Sequence, residues 1–297
     1  MNSAPKISII MPVYNGEEFL KEAIESILHQ TYRDFEFIIA YDESSDISLE
    51  IIKYYQNIDS RIVLSTGCGR GLVNALNDAI DIARGEYIAR MDADDVSFLD
   101  RIKSQYEFLD NHALDICGGH SLLIDDKGKV NGLNVIPISH EMCTLSLLFK
   151  VPFAHPSVMI RKSFLDNNSL KYGQSKYQTA EDLDLWARMH KCGAKFGNVN
   201  NVILKYRMLD NSLSRVNNSL VLQDSKSIFK QFRKDNCNIV SRIVKDSSLQ
   251  TLNAEEKSLL VRYIYNDMKR LNFSNFKLIK QIDIKIILNS VLSEMLR

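Results

Sequence analysis

The first hundred residues alternate between apolar runs and amphipathic stretches, and this alternation limits the possible folds more than any other feature. The runs 7–13, 35–40, 61–65 and 87–91 are short and nearly continuous in apolar side chains, as strands covered on both faces are. Between them Leu20, Ala23, Ile24, Ile27 and Leu28 recur at helical spacing. So do Leu49, Ile51 and Ile52, and then Leu72, Leu76 and Ile80. Strand and helix in this order predict a parallel sheet with helices on both faces. Pro12 closes the first strand, and Asn15 with Glu18 forms a pair like a capping box before the first helix. Ligands of such sheets bind outside the carboxyl ends of the strands. Tyr14, Asp42, Arg70 and the 92–95 segment all fall at those ends.

The fourth run carries the strongest chemical signal. Met91 is followed by Asp92, Ala93, Asp94 and Asp95, so three carboxylates stand within four residues. Unpaired carboxylates cost several kcal/mol or more to bury. A hard cation at the mouth of a sheet neutralises them, and Mg²⁺ or Mn²⁺ takes carboxylate and phosphate oxygens together. The competing explanation is an acidic helix start, with Asp94 or Asp95 as the cap. Taken alone, the motif leaves both open.

The full chain of 297 residues is long enough for a substantial core. Its 37 basic residues balance 37 acidic ones, which argues against a general nucleic-acid binder. The five cysteines are scattered without a CxxC pair, so neither a disulfide framework nor a zinc site is indicated, and a reducing compartment fits. No apolar run approaches the ~18 residues of a membrane span, and the 7–13 run reads as a strand rather than a leader.

Beyond residue 98 the pattern changes. An amphipathic helix is expected over 99–110, a hairpin over 116–125 and 129–135 turning at Asp126, Lys127 and Gly128, and helices over 140–148 and 181–192. Strands are expected over 158–161 and 202–207. From Asn218 the chain reads as helical and richer in Lys226, Lys230, Arg233, Lys234, Arg242 and Lys245. The expected organisation is a domain over 1–217, divided at 98/99, with a helical region over 218–297 packed on it.

Taken together and in order, these motifs resemble the family-2 inverting glycosyltransferases. The matching stretches are Pro12-Val13-Tyr14-Asn15, Tyr41 to Asp46, Gly71 to Asn77, Ala83 to Asp95, Pro152 to Met159 and Ala180 to Trp186. The resemblance spans roughly residues 6–214 and points to bacterial enzymes that build O-antigen or capsule. It implies the nucleotide-sugar-binding GT-A fold, with 1–98 holding the nucleotide and 99–217 the acceptor. Pro12, Tyr14, Asp42, Arg70, Asp92 and Ala93 would then contact the donor, a UDP-sugar. Asp42 would read the uracil imide, since its oxygens accept from N–H. Asp94, with Asp92, would hold Mn²⁺ or Mg²⁺. Asp182 would be the general base, although acids at a helix N-terminus are ordinarily dipole partners. Glu181, His155 and Trp186 would meet the acceptor, with core packing as the alternative for Trp186 and a buried, bonded ring for His155. Asp95 is read as a helix cap, with a third polar contact in the acidic site as the alternative, and Asp184 as structural. The acceptor implied by the resemblance is a saccharide, lipid-linked or a growing chain, at the cytoplasmic face of the membrane.

The same resemblance puts the chain in the cytoplasm, with a peripheral position at the inner face of the plasma membrane as the open alternative. Basic helices after Asn218 would then rest on anionic lipid, at ~1 kcal/mol per near-surface cation. Three positions depart from the family pattern: Tyr41 in place of Asp, Glu43 in place of Gly, and Leu209 where many relatives carry His. Leu209 cannot ligate a metal. These departures keep open a second reading, a catalytically impaired homologue that binds nucleotide-sugar or acts as a scaffold. A dinucleotide-dependent oxidoreductase is disfavoured because no GxGxxG follows the first strand.

Overall fold

The computed structural model describes residues 4–67, 71–177, 179–209, 218–236 and the positions 257, 258 and 261. In the first half β1 (Ile7–Val13), β2 (Phe35–Tyr41), β3 (Ile62–Thr66) and β4 (Tyr87–Arg90) alternate with α1 (Leu20–Leu28), α2 (Ser48–Ile58) and α3 (Leu72–Ile82). The strands pair in parallel in the order β3-β2-β1-β4. Chain order therefore reverses beside β1, with β2 and β3 on one side and β4 on the other. The loops after β1 and β4 diverge there and leave a crevice, the usual ligand site of such sheets.

The second half extends the same sheet. It contains β5 (Val96–Ser97), α4 (Arg101–Asn111), β6 (Ile116–Ile124), β7 (Val130–Asn134), α5 (His140–Ser146), β8 (Met159–Arg161), α6 (Lys162–Asn167), α7 (Glu181–Lys191), β9 (Phe196–Arg207) and α8 (Asn218–Asp235). Beyond β4 the order is β8-β6-β9-β5, with β7 paired to β6. Here the pairing is mixed: β8 runs antiparallel to β4 and β6, whereas β6 and β9 are parallel. The parallel character belongs to the first half.

Strand alternation divides the core into two layers. Ile10, Ile38 and Ile88 pack with α3, α5 and α7, and Ile9, Phe37, Ala89 and Met91 pack with α1, α2 and α4. Gly85 lets the α3–β4 connection press on β1, since a Cβ there would lie 2.4 Å from the Ser8 nitrogen. Ile228 and Phe232 of α8 are buried in the same layer as α7, with the Phe232 ring 5.0 Å from His190. Arg233 donates to the Leu148 carbonyl and so is tied to the protein. Arg242 and Lys245 lie outside the described residues.

Several local expectations need correction. Asn15 does not cap α1. The helix begins at Leu20, and Phe19 and Leu20 donate to the Gly16 carbonyl. Asn15 instead adopts φ 48° and accepts from the Ser45 amide at 2.8 Å. Glu43 needs no positive φ, so its replacement of glycine strains nothing there. β5 was not expected because two residues carry no periodic signal.

Candidate active site

The loops after β1 and β2 are stitched together. The Asn15 amide donates to Ser44 Oγ, Gly16 to Ser48 Oγ and Glu17 to Asp46. These bonds fix one wall of the crevice. Asp42, at the end of β2, is 7% exposed and accepts the Gly71 amide at 2.8 Å. Gly71 has φ 81° and precedes α3, so the carboxylate is held against a helix start. Pro12 is half-buried within β1, Tyr14 is largely exposed beyond it, and Ala93 is half-buried opposite Gly16. Arg70 lies outside the described residues.

After β4 the chain turns through the acidic segment, where carboxylate oxygens of Asp92, Asp94 and Asp95 lie within 4.8 Å of one another. Burial, with Asp92 nearby, pushes Asp94 up to about 6. Burial and the two neighbouring carboxylates raise Asp95 well above the carboxylate range. Asp95 is not a helix cap, because α4 starts at Arg101 after Asp100. One of its oxygens accepts the Arg207 amide at 2.8 Å, and its Oδ2 is buried with no partner among the described residues. A bare, buried carboxylate oxygen beside two further carboxylates suits a divalent cation. The oxygen-only donor set suits Mg²⁺ or Mn²⁺ rather than zinc.

Three buried arginines bracket this segment. Arg90 holds Asp92 by a hydrogen bond from Nη1 to Oδ2 at 2.8 Å and an ion-pair contact of Nη2 with Oδ1 at 2.5 Å. Arg101 donates to the Arg90 carbonyl and to Gln105, and burial lowers it to about 10. Arg207, at the end of β9, donates to the Asp94, Asp125 and Asp126 carbonyls and to Glu22. Arg90 stands inside an apolar strand and Arg207 ends another. A cation in such a place must find a partner, and the adjacent acids were the signal that could have singled them out.

Opposite stands the N-terminus of α7. Ala180 adopts a left-handed conformation at φ 55°, ψ 40°, a strain that a functional turn commonly carries. Thr179 is fixed by two bonds to Asp224 of α8, both 2.9 Å. Glu181 is pushed up to about 7 by burial and then by Asp182. Asp182 is raised by burial and accepts the Leu183 amide. The field of Arg90 reaches both acids, as does that of Asp92, so the two acidic groups share one site. Asp184 is structural, as expected, pairing with Arg188 at 2.8 Å.

His155 bonds the Tyr172 hydroxyl at 3.0 Å and stands 3.6 Å from Glu181. Burial, with Arg90 nearby, holds it well below its ordinary value, so the ring is neutral. Tyr172 was not singled out from sequence, where it sits in an unpatterned loop. Asn77 holds its backbone by two bonds of 3.0 Å. Trp186 is a correction to the acceptor contacts. It is fully buried, edge-on to Phe153, His155 and Tyr172, and offers no face to a sugar.

A parallel nucleotide-type half-sheet continued by a mixed one, with an acidic segment at the junction, is the GT-A fold. The family model "Glycosyl transferase family 2" matches residues 8–168. The O-antigen biosynthesis glycosyltransferase WbnJ of Escherichia coli is 32% identical over 212 residues, covering 70% of this chain and 82% of WbnJ. S. aureus TarS 1-349 in complex with UDP-GlcNAc superposes with TM-score 0.57 at 18% identity, covering 96% of this chain and 79% of that one. The mannosyltransferase PcManGT from Pyrobaculum calidifontis, in complex with GDP-Man and Mn²⁺, gives TM-score 0.56 at 11% identity over 99% and 88% of the two chains. The chain belongs to glycosyl transferase family 2.

Proposed function

We propose that this protein is an inverting, metal-assisted glycosyltransferase that moves a sugar from a UDP-sugar to a saccharide hydroxyl in surface-polysaccharide synthesis. One observation carries the reading: the acids after β4 and the acids at the start of α7 converge on one site at the sheet's switch point. Asp42, Pro12 and Tyr14 bind the base, with Asp42 accepting from the uracil N–H. Asp94 and Asp92 hold a divalent ion, which when bound supplies Lewis-acid neutralisation of the departing diphosphate. Asp182 takes the proton of the acceptor hydroxyl as that oxygen bonds to the anomeric carbon. The bond from that carbon to phosphate breaks, UDP leaves, and a single in-line displacement inverts the anomeric centre. Glu181 contacts the incoming sugar. His155, bonded to Tyr172, lies beside Glu181 and lines the acceptor side.

WbnJ and the UDP-GlcNAc complex of TarS support the acceptor and donor classes, and the PcManGT complex supports Mn²⁺. Leu209 favours the second reading, a nucleotide-sugar-binding homologue impaired in transfer. Against it stand Asp92, Asp94 and Asp182, the carboxylates that metal binding and proton removal need. Calorimetric titration of UDP, GDP and a panel of UDP-sugars, with and without Mn²⁺, separates these possibilities. Metal-dependent UDP binding that is lost in Asp94→Ala is expected. No UDP binding by the folded wild type would overturn the reading, and binding without transfer to any saccharide acceptor would favour the impaired homologue. Among the described residues no helix is long and apolar enough to cross a membrane. Contact with a lipid-linked acceptor at the inner face of the plasma membrane is part of this proposal, and vesicle co-sedimentation tests it.

A further inference from the structure

Arg90 occupies the carboxylate that the metal site needs. It is 4% exposed, and its guanidinium touches both oxygens of Asp92, one by a hydrogen bond and the other as an ion pair. An arginine so deeply buried has no water to return to, and pairs of this geometry are among the stronger side-chain contacts. Meanwhile Asp95 Oδ2 in the same cluster is bare. Asp92 therefore has a cation against both of its oxygens, while its neighbour has an oxygen with no partner among the described residues.

The arginine is not itself saturated. Its Nε–H is buried without a partner among the described residues, and Asp95, Glu181 and Tyr172 lie within its field. Its side chain leaves β4 on the face that carries Ile88, toward the layer of α7. The guanidinium thus stands between the donor-side acid and the acceptor-side acids, with a second set of acceptors available when the first is taken.

We propose that Arg90 is a built-in counter-ion that competes with the divalent cation for Asp92. This deepens the metal site of the proposed function and rests on that reading. With the arginine on Asp92, the ion meets only Asp94 and the bare Asp95 oxygen, beside a fixed positive charge, and binds weakly. A nucleoside diphosphate brings its own oxygens and negative charge, which tips the competition. Asp92 then releases at least one oxygen, and the guanidinium turns its free donors toward Glu181. Metal loading is in this way coupled to donor loading by one side chain, and Arg90 acts as a positioning residue rather than a reacting group.

The test is Mn²⁺ binding to nucleotide-free protein, read from the loss of the free-ion electron paramagnetic resonance signal. It uses wild type, Arg90→Gln and Arg90→Lys, each shown folded by circular dichroism. Removing a unit charge a few ångströms from a divalent ion is worth about tenfold or more in affinity. Arg90→Gln is expected to bind Mn²⁺ at least about tenfold more tightly than wild type. Arg90→Lys keeps the charge but cannot span both oxygens, so it falls between them. The differences shrink when UDP is added. If Arg90→Gln fails to fold, a gain in Arg90→Lys supports the proposal and its absence overturns it. Unchanged or weaker Mn²⁺ binding in the folded variants, with wild type binding Mn²⁺ normally beside UDP, overturns the proposal alone. No Mn²⁺ binding by wild type even with UDP overturns the metal site and this proposal together.

Discussion

Replacing Arg207 with methionine should destabilise the folded chain by about 3–5 kcal/mol, chiefly by leaving carbonyl oxygens without a donor. The magnitude follows from what the guanidinium holds. Arg207 is 4% exposed, and methionine keeps most of its apolar stem while removing every donor. The carbonyl oxygens of Asp94, Asp125 and Asp126 lose their partner. Each costs ~1–3 kcal/mol when left unsatisfied. Asp125 and Asp126 begin a surface turn, where water recovers part of that loss. The Glu22 leg adds only ~0–1 kcal/mol, because that side chain is 55% exposed. The guanidinium also covers the Phe19 ring at 4.2 Å, a contact of about 0.5–2 kcal/mol. Urea unfolding of wild type and Arg207→Met measures the difference. A loss below about 1 kcal/mol would mean that water replaces these bonds, and the picture of Arg207 as the clamp of the acidic segment would be refuted.

Other consequences can be measured directly. Glu181 is held near about 7 against an ordinary 4.5, so the folded state keeps a proton that the unfolded chain releases. The associated stability is present below pH 4.5 and is lost as pH rises through about 7. Glu181→Gln should therefore gain on wild type at pH above that window and not below it, and equal differences in urea midpoint on both sides would contradict this. Trp186→Ala should cost about 3–5 kcal/mol of stability, as an emptied aromatic core site does, and a change confined to acceptor KM would return this residue to the binding surface. Asp224→Asn weakens the two bonds that fix Thr179. It should lower kcat while leaving UDP affinity unchanged, and a matching loss of UDP affinity would show that α8 acts on the whole fold instead.

The first half of the fold was legible because buried parallel strands and amphipathic helices each leave a period in the sequence. The runs at 7–13, 35–40, 61–65 and 87–91 became β1 to β4 with shifts of one residue or less. The second half was less legible. β5 is too short to show a period, α6 and the loop bearing Tyr172 carry none, and the mixed pairing of β8, β6 and β9 depends on which strands meet. Asn15 shows the limit of local rules. Its sequence suits a helix cap, but the partner it found is Ser45, on the neighbouring loop after β2.

For the candidate site, the order of residues was enough to tell which carboxylates exist and that they follow strands. Those facts depend only on side-chain chemistry and on neighbours along the chain. Packing of distant elements brought Arg90, Arg101 and Arg207 around the acidic segment, left Asp95 with a bare oxygen, and sealed Trp186 in the core. Charge compensation and burial depend on distances between residues far apart in the chain, such as Asp95 and Arg207. No local pattern records them, because the low-dielectric interior that makes such pairings matter comes into being only when the layers pack.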